Sequence, residues 1–192
     1  NPLIKPNPDN DWEAIATFNG CVVRFMDTYH MVYRAQGKKQ KHEGADIELS
    51  TIGYAKSHDG IHFTDRRQLI VPEFEWEKYG CEDPRITYFE GKYYIFYTAL
   101  SNFPFTPAGI KCAVAVTEDF NSFEKHLITP FNAKAMTLFP ERIDNKLTVL
   151  LSVHTDMPPA RICFAQVDTP QELWSTSFWD NWYRTYENYA IP

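Results

Sequence analysis

A unit of predicted β-strands, four in the first two copies and three in the third, recurs along this sequence, and this recurrence limits the folds that the chain can adopt. The second strand of each unit is the easiest to recognise, because a polar turn opens a run of aromatic, aliphatic and β-branched residues. These runs cover residues 27–35, 90–99 and 144–153. In the second run, Glu90-Gly91 is a pair typical of a tight turn, so this run and the strand before it predict a β-hairpin.

The other strands of the unit keep the same order around these runs. First strands are predicted at 17–25, 83–89 and 136–143, and segments rich in small residues predict third strands from residues 52, 111 and 162. Fourth-strand material follows in the first two units, at 68–72 and 126–130. The residues after Trp174 lose the pattern and are expected to form a loop or the lead into a further blade.

The spacing of the unit favours a β-propeller. The second strands begin 63 and 54 residues apart, on the scale of propeller blades, which run about 40–50 residues before loop insertions. A β-sandwich also has many short strands, but it does not require one four-strand signature to recur in order. We therefore expect an all-β fold and a single propeller domain over residues 1–192, with blades at about 14–72, 80–130 and 134–180. Three blades do not close a ring, which needs about four to eight, so further chain or association would complete it.

Charge and composition disfavour several classes of function. The net charge is −6 and no stripe of Lys and Arg alternates with aromatics, so nucleic acid is not an expected partner. The basic run of Lys38, Lys39 and Lys41 is expected to be a solvated loop. No apolar run approaches the ~20 residues of a membrane helix, and the four scattered cysteines form no C-x-x-C pair. We expect no membrane span, no metal site, and free thiols in a cytoplasmic protein.

One short segment concentrates reactive side chains on a predicted strand. Glu82, Asp83, Pro84 and Arg85 place two carboxylates and a guanidinium beside a proline. Proline cannot donate to a sheet ladder, so Pro84 is expected at the start of its strand, with the Asp83 side chain projecting beyond the sheet. The alternative is a surface ion pair between Glu82 and Arg85 with a solvated Asp83.

Propeller geometry would bring this segment close to side chains of the other units. First strands line the central channel, so Asn19 of the first unit, with Arg34 from its second strand, and Lys134 and Arg142 of the third unit would converge on residues 82–85. Convergence of polar groups from separate elements is what an enzyme pocket requires. The sequence contains no H-E-x-x-H, no Gly-rich phosphate loop and no G-x-S-x-G, so metalloprotease, nucleotide-binding and serine-hydrolase functions lack their motifs.

Several of these motifs together resemble glycoside hydrolase family 130, the β-mannoside phosphorylases and β-mannosidases. The resemblance is carried by F-N-G at 18–20 with Y-R-A at 33–35, G-C-E-D-P-R-I-T at 80–87 with G-K-Y-Y-I-F-Y-T-A at 91–99, and L-F-P-E-R-I at 138–143. It covers nearly the whole chain, but only about three of the five blades that the family's fold implies. The resemblance thus implies a five-bladed β-propeller of which this chain supplies about three blades.

The resemblance also implies roles for individual residues. Asp83 would be the catalytic acid of an inverting enzyme, acting through a sugar hydroxyl, while phosphate or water attacks the opposite face of the sugar. Asn19 and Arg34 match positions that hold the mannosyl unit. Glu82 and Arg85 would fix the Asp83 carboxylate and its surroundings, although structural pairing of these two residues is an equal alternative.

Phosphate binding is implied less completely. Lys134 and Arg142 match cationic positions that grip phosphate in the phosphorylases. Phosphorylases of the family tend to carry a third cation, an Arg, where this chain has Ser152. His154 lies two residues further and would replace it on an ideal strand, or is a satisfied structural histidine.

The leading hypothesis is therefore an inverting β-mannoside phosphorylase without a cofactor, with inorganic phosphate as co-substrate. Its substrate would be a β-linked manno-oligosaccharide, or mannose linked to glucose or N-acetylglucosamine, and a homo-oligomer is also expected. The alternatives are an inverting β-mannosidase, whose water-activating Glu would lie beyond residue 192, and a non-catalytic sugar-binding module.

Overall fold

The computed structural model describes residues 3–191, which form three antiparallel sheets with little helix. This confirms the all-β prediction. In each sheet the strands are paired in chain order. The first sheet comprises β1 (Ala16–Phe25), β2 (Thr28–His42), β3 (Ala45–Ser57) and β4 (Thr64–Ile70); the second β5 (Gly80–Phe89), β6 (Lys92–Leu100), β7 (Ile110–Thr117) and β8 (Glu124–Leu127); the third β9 (Ala133–Leu138), β10 (Leu147–Val153) and β11 (Arg161–Val167).

The remaining elements are short. Single 3-10 turns lie at Asp11–Glu13, Glu75–Glu77, Pro107–Gly109, Pro170–Trp174 and Tyr186–Tyr189, and the one α-helix of the described residues, α1, spans Thr176–Tyr183. No helix in residues 3–191 combines the length and apolar character needed to cross a membrane. All four cysteines are free thiols, and three of them are buried.

Three segments differ from the sequence prediction. The first strand of the third sheet, predicted at 136–143, is β9 at Ala133–Leu138. Lys38, Lys39 and Lys41 are solvent-exposed, but they lie in β2 rather than in a loop, because β2 and β3 stay paired out to His42 and Ala45. The segment after Trp174 contains a helix, because its aromatic residues recur at helical spacing and two of them bury one face of α1.

The first strands of the three sheets lie side by side. The Cys21 thiol of β1 meets the backbone of Ile86 in β5, and the Thr87 hydroxyl of β5 donates to the Leu138 carbonyl of β9 at 2.9 Å. Apolar side chains fill the spaces between neighbouring sheets, forming one core between the first two sheets and another between the last two. The third sheet's core is completed by Trp179 and Trp182 of α1.

A buried glutamate anchors the first sheet. Glu13 is fully buried, accepts a hydrogen bond from the Tyr33 hydroxyl at 2.9 Å and pairs with Arg66 at 2.6 Å. The Tyr33 ring crosses Gly53 of the neighbouring strand, where a Cβ would lie 2.4 Å from the ring, so any larger residue would displace it. Burial raises the pKa of the Tyr33 hydroxyl, which therefore stays a hydrogen-bond donor.

The same arrangement recurs in the second sheet. Glu77 is fully buried, accepts from the Tyr97 hydroxyl at 2.6 Å and pairs with Lys125 at 2.8 Å. Both glutamates follow a tryptophan in a 3-10 turn just before the first strand of their sheet. The two sheets are thus built on one plan, in which a buried ion pair ties the entering chain to the second and fourth strands.

We predict that Lys125→Met lowers the free energy of unfolding by about 3 kcal/mol, because it leaves the Glu77 carboxylate buried without its cation. Urea denaturation would measure this change. Lys92→Met, which removes an exposed lysine paired with Glu118, is the matched control and should cost no more than about 1 kcal/mol. Equal costs for the two variants would show that the buried pair has no special role in stability.

Candidate active site

A β-bulge interrupts the first strand of every sheet at the same level. The strand pairing shifts between Phe18 and Cys21 in β1 and between Glu82 and Arg85 in β5, and the β9–β10 pairing shifts correspondingly. One residue in each bulge has a left-handed backbone: Asn19 (φ 51°), Asp83 (φ 51°) and Ala135 (φ 53°). Bulges redirect side chains, and left-handed residues other than glycine cluster at functional sites.

The bulge also explains the position of Pro84. The sequence predicted this proline at the start of its strand, but it lies inside β5, four residues after Gly80. The prediction was wrong because a bulge leaves a residue unpaired within a strand, so that the missing N–H of Pro84 costs no ladder hydrogen bond. Asp83 accordingly lies within β5 rather than beyond the end of the sheet.

Asp83 is held by two donors from the first sheet. The Asn19 amide donates to Asp83 Oδ1 at 2.6 Å, and Arg34 Nη1 donates to the same oxygen at 3.4 Å. Among the described residues no side chain or backbone donor bonds Asp83 Oδ2. The Asp83 side chain is 30% exposed, so one carboxylate oxygen is fixed while the carboxyl group still reaches solvent.

Glu82 belongs to the same cluster but is less exposed to solvent than Asp83. Its side chain is 15% exposed and pairs with Arg34 Nη2 at 2.5 Å, while Arg34 Nε donates to the Ser50 hydroxyl at 3.1 Å. Burial raises the pKa of Glu82, and the negative charge of Asp83 adds to this effect; Arg34, Ser50 and Lys134 oppose it. Arg34 therefore bridges two carboxylates that are adjacent in sequence.

Lys134 approaches this cluster from the third sheet. It takes the register position in β9 that Glu82 takes in β5, and its charge acts on the pKa of Glu82. Lys134 Nζ pairs with Asp156 Oδ1 at 2.7 Å, and the Asn132 amide donates to Asp156 Oδ2 at 3.0 Å. Burial alone would raise the pKa of Asp156, but the hydrogen bonds from Lys134 and Asn132 and the Lys134 charge lower it below its usual value.

Two predicted site residues, Arg142 and His154, are not brought to this cluster, and a third, Arg85, forms no hydrogen bond with its side chains. Among the residues that the structure describes, Arg85 donates only to the carbonyl of its neighbour Pro84, at 2.8 Å. Arg142 pairs with Glu90 at 2.8 Å, in the turn just after β5. Glu90 is seven residues from Asp83 along extended chain and so roughly 20 Å away. Arg142 there joins the far ends of the second and third sheets rather than facing the carboxylates.

His154 contacts aromatic residues near the end of the chain. It lies one residue past β10 with φ 59°, so the alternation expected of an ideal strand does not hold. Its Nε2 is 2.5 Å from the Tyr183 hydroxyl and its Nδ1 is 3.4 Å from the Tyr186 hydroxyl. The structure therefore gives both ring nitrogens protein partners, which matches the alternative of a satisfied histidine.

Sequence analysis missed three members of the cluster. Ser50 lies in a strand of ordinary composition, and Asn132 and Asp156 are 24 residues apart in loops, so no motif links them to Lys134. Within residues 3–191 no group of three or more His, Cys, Asp and Glu side chains has the arrangement of a metal site.

A cleft of about 350 Å³ opens beside Glu82, and Asp83 is not among its lining residues. Its lining includes Arg34, Ser50 and Glu82 of the cluster, residues of the outer part of the β2–β3 hairpin, and Tyr79 with two phenylalanines of the loop after β6. A volume of this size falls within the range of small-molecule sites.

Comparison with known proteins places this site in a family. Residues 6–185 match the family model of glycoside hydrolase family 130, described as beta-1,4-mannooligosaccharide phosphorylase. The chain belongs to glycoside hydrolase family 130. The carboxylate cluster with Asn19 and Arg34 is therefore a candidate active site of a family 130 protein.

Two curated relatives from Thermoanaerobacter sp. (strain X514) support the assignment. A beta-1,2-mannobiose phosphorylase is 30% identical over 164 residues, covering 82% of this chain and 53% of the relative. A 1,2-beta-oligomannan phosphorylase is 31% identical over 166 residues, covering 85% and 54%. The family 130 chain thus spans about half the length of the curated relatives it matches.

A solved structure shows the same fold. The beta-1,2-mannobiose phosphorylase from Listeria innocua, in complex with beta-1,2-mannobiose, superposes with a TM-score of 0.74 at 24% identity, covering 88% of this chain and 61% of that one. The three sheets of this family 130 chain are accordingly blades of a β-propeller type.

We predict that Glu82→Gln stabilises the fold more at pH 7 than at pH 4. The pKa of Glu82 is raised in the folded state, so the folded protein holds the proton more tightly than the unfolded chain does. The protonated Glu82 carboxyl therefore contributes to the stability of the fold at pH values below its pKa in the unfolded chain. This contribution is lost as the pH rises through the pKa of Glu82 in the folded protein. Glutamine does not titrate, so its contribution is the same at both pH values.

Denaturant unfolding at both pH values would measure the difference between variant and parent. Glu187→Gln, at an exposed glutamate, is the control for a change of surface charge. A stability difference for Glu82→Gln that stays constant between pH 4 and pH 7 would contradict the raised pKa.

Proposed function

We propose that this protein acts in the inverting phosphorolysis of β-mannosides, with Asp83 as catalytic acid. The observation that carries the proposal is the position of Asp83 at a left-handed bulge, gripped by Asn19 and Arg34, with Lys134 on the neighbouring first strand. The names of the two Thermoanaerobacter relatives support a β-1,2 linkage and either mannobiose or a longer chain as substrate.

Asn19 and Arg34 support the acid role by orienting the Asp83 carboxyl. Both donors bond Oδ1, which leaves Oδ2 to carry the proton. In the proposed reaction a phosphate oxygen attacks the anomeric carbon as the glycosidic C–O bond breaks, and the leaving oxygen receives a proton that originates on Asp83 through a sugar hydroxyl. Inversion gives α-mannose 1-phosphate and a saccharide shortened by one unit.

Lys134 is the proposed phosphate ligand, and Asp156 is its competitor. A phosphate dianion needs cations that offset its charge and hold it in line with the bond that breaks. Lys134 is the cation that β9 brings near the carboxylates, and its ion pair with Asp156 must loosen or adjust when phosphate binds. This competition predicts weaker phosphate binding than an unpaired lysine would give.

Two observations favour the β-mannosidase as second candidate. Ser152 stands opposite Lys134 in the β9–β10 pairing, where the resemblance leads one to expect an arginine. Asp156 also offsets the charge of Lys134. A missing arginine and a neutralised Lys134 both reduce the electrostatic attraction for phosphate at this site. Water would then compete more effectively as the nucleophile.

Three wider proposals accompany this function. We propose that the three blades belong to a five-bladed ring, supported by the propeller-type neighbour. We propose a cytoplasmic location, supported by four unpaired thiols. The homo-oligomer stays a prediction.

The decisive experiment is product analysis with β-1,2-mannobiose in the presence and absence of inorganic phosphate. Release of mannose 1-phosphate only when phosphate is present is the expected result. Asp83→Asn should reduce turnover by at least about a hundredfold, within the range of losses on removing a general acid, while mannobiose still binds. Equal release of free mannose without phosphate would establish the hydrolase, and no turnover or binding would favour a different function.

We predict opposite effects of two substitutions on the KM for phosphate. Lys134→Met removes one charge-assisted contact and should raise this KM by roughly tenfold to a hundredfold. Asp156→Asn removes the competing carboxylate while keeping its shape, so the KM for phosphate should fall.

Steady-state kinetics at fixed mannobiose and varied phosphate would measure both effects. Lys146→Met is the matched control, because Lys146 forms a comparable ion pair with Asp168 at an exposed turn. A rise in the KM for phosphate in Asp156→Asn would show instead that Asp156 holds Lys134 in its binding position.

A further inference from the structure

Asn132 lies at the start of the third sheet, next to the proposed phosphate ligand. It directly precedes β9 and stands two residues before Lys134. Although Asn132 is polar, only 3% of its surface is exposed. A buried amide needs hydrogen-bond partners inside the protein, because leaving its donors and acceptor unpaired costs free energy. The partners of Asn132 therefore show which parts of the molecule this side chain holds together.

The Asn132 side chain joins the start of β9 to two loops. Its amide group donates to the Pro107 carbonyl at 3.0 Å, to the Ile110 carbonyl at 3.5 Å and to Asp156 Oδ2 at 3.0 Å. Its oxygen accepts from the Asp156 backbone N–H at 3.3 Å. The position needs both donors and an acceptor, which an asparagine side chain supplies. An ionised aspartate at this position would face three oxygens with no hydrogen to donate.

The backbone of Asn132 holds the loop after β10 as well. The His154 N–H donates to the Asn132 carbonyl at 3.1 Å, just beyond the end of the β9–β10 pairing. Two residues further along the chain, Asp156 is held to Asn132 through both its backbone and its carboxylate. The position of this carboxylate is therefore set by Asn132 as well as by Lys134.

Asn132 and Lys134 divide the two oxygens of the Asp156 carboxylate. Lys134 Nζ bonds Oδ1 at 2.7 Å, and the Asn132 amide bonds Oδ2. Among the residues that the structure describes, Oδ1 is the one hydrogen-bond acceptor of the Lys134 ammonium group. An ammonium group has three hydrogens to donate, so two remain for another anion. The Lys134 side chain is 29% exposed, so an anion can reach it from solvent.

We propose that Asn132 is a positioning residue for the phosphate co-substrate, because it holds Asp156 Oδ2 and so limits this carboxylate to one contact with Lys134. Without the amide, Oδ2 is free to turn toward the ammonium group and accept a second of its hydrogens, which strengthens the competition with phosphate. The inference rests on the proposed function and deepens it, since it concerns the affinity for the attacking nucleophile. Asn132 acts through Asp156 and Lys134 without touching phosphate.

The test is steady-state phosphorolysis of β-1,2-mannobiose, with phosphate and mannobiose varied in turn. Asn132→Ala removes the amide and should raise the KM for phosphate by roughly threefold to tenfold, as expected for one hydrogen bond. The KM for mannobiose, and kcat at saturating phosphate, should change little. Asn10→Ala is the matched control, because the Asn10 amide also bonds a carboxylate, that of Glu13 at 2.7 Å, at the entrance to the first sheet.

A second pair of variants tests whether Asn132 acts through Asp156. Asp156→Asn lacks the competing negative charge, so adding Asn132→Ala to this variant should leave the KM for phosphate almost unchanged. An equal rise with and without the Asp156 carboxylate would overturn the inference. A fall in kcat together with a rise in the KM for mannobiose would also overturn it, because such losses indicate a general disturbance of the site.

A crystal structure of the parent protein with inorganic phosphate tests the inference even if Asn132→Ala does not fold. The expected result is phosphate on Lys134 with the Asn132 amide still bonded to Asp156 Oδ2. Phosphate on Lys134 with Asp156 turned away from Asn132 would overturn the inference and leave the proposed function intact. If the parent protein neither binds phosphate nor needs it for turnover, the proposed function fails and the inference fails with it.

Discussion

The left-handed bulge in each first strand is the constraint on which the site depends. Regular strands would alternate side chains between two faces, so neither Asn19 nor Asp83 could turn toward a neighbouring sheet without breaking that pattern. The bulge supplies this turn in all three sheets, and the first strands lie side by side at that level. In the first two sheets the left-handed residue in the bulge is polar, whereas in the third it is Ala135, and the charged side chain next to it is that of Lys134.

Arg34 then fixes the two carboxylates, Glu82 and Asp83, at the bulge of the second sheet. It lies in the second strand opposite Phe18, bonds both carboxylates of the second sheet and is itself supported by Ser50. This arrangement separates the two carboxyl groups by environment. Glu82 is 15% exposed and has a raised pKa, and Asp83 is 30% exposed. One guanidinium thus holds two adjacent acidic residues in different environments, which suits a site where one carboxyl group transfers a proton and the other maintains the geometry.

Much of this architecture can be predicted from the sequence, and the failures have identifiable physical causes. The recurrence of aromatic second strands and the Glu90-Gly91 turn predict the sheets, and short motifs single out Asn19, Arg34 and Asp83. The prediction that Arg142 joins Lys134 at the carboxylate cluster fails, because Arg142 lies beyond the end of β9. Its side chain pairs with Glu90 and not with a phosphate site near Asp83. The interaction of Lys134 with Asp156 depends on a loop contact with no sequence pattern, and the ideal-strand assumption fails at His154 because its backbone is left-handed.

The buried ion pairs of Glu13 and Glu77 show how the blades support the site. Each fixes the chain just before a first strand, and the second of them lies six residues before Asp83. The buried ion pair thus ties the entering segment to the second and fourth strands at a point that precedes the bulge in the sequence. The strained backbone at Asp83 is therefore held by well-anchored neighbouring elements.

The most direct test of this account is a crystal structure of Asp83→Asn with β-1,2-mannobiose and inorganic phosphate. The account predicts that the glycosidic oxygen lies near residue 83, the reacting sugar contacts Asn19 and Arg34, and phosphate lies against Lys134. Mannobiose bound elsewhere on the chain, or phosphate bound at Arg142 instead of Lys134, would contradict the central claim that the three bulged strands build the active site.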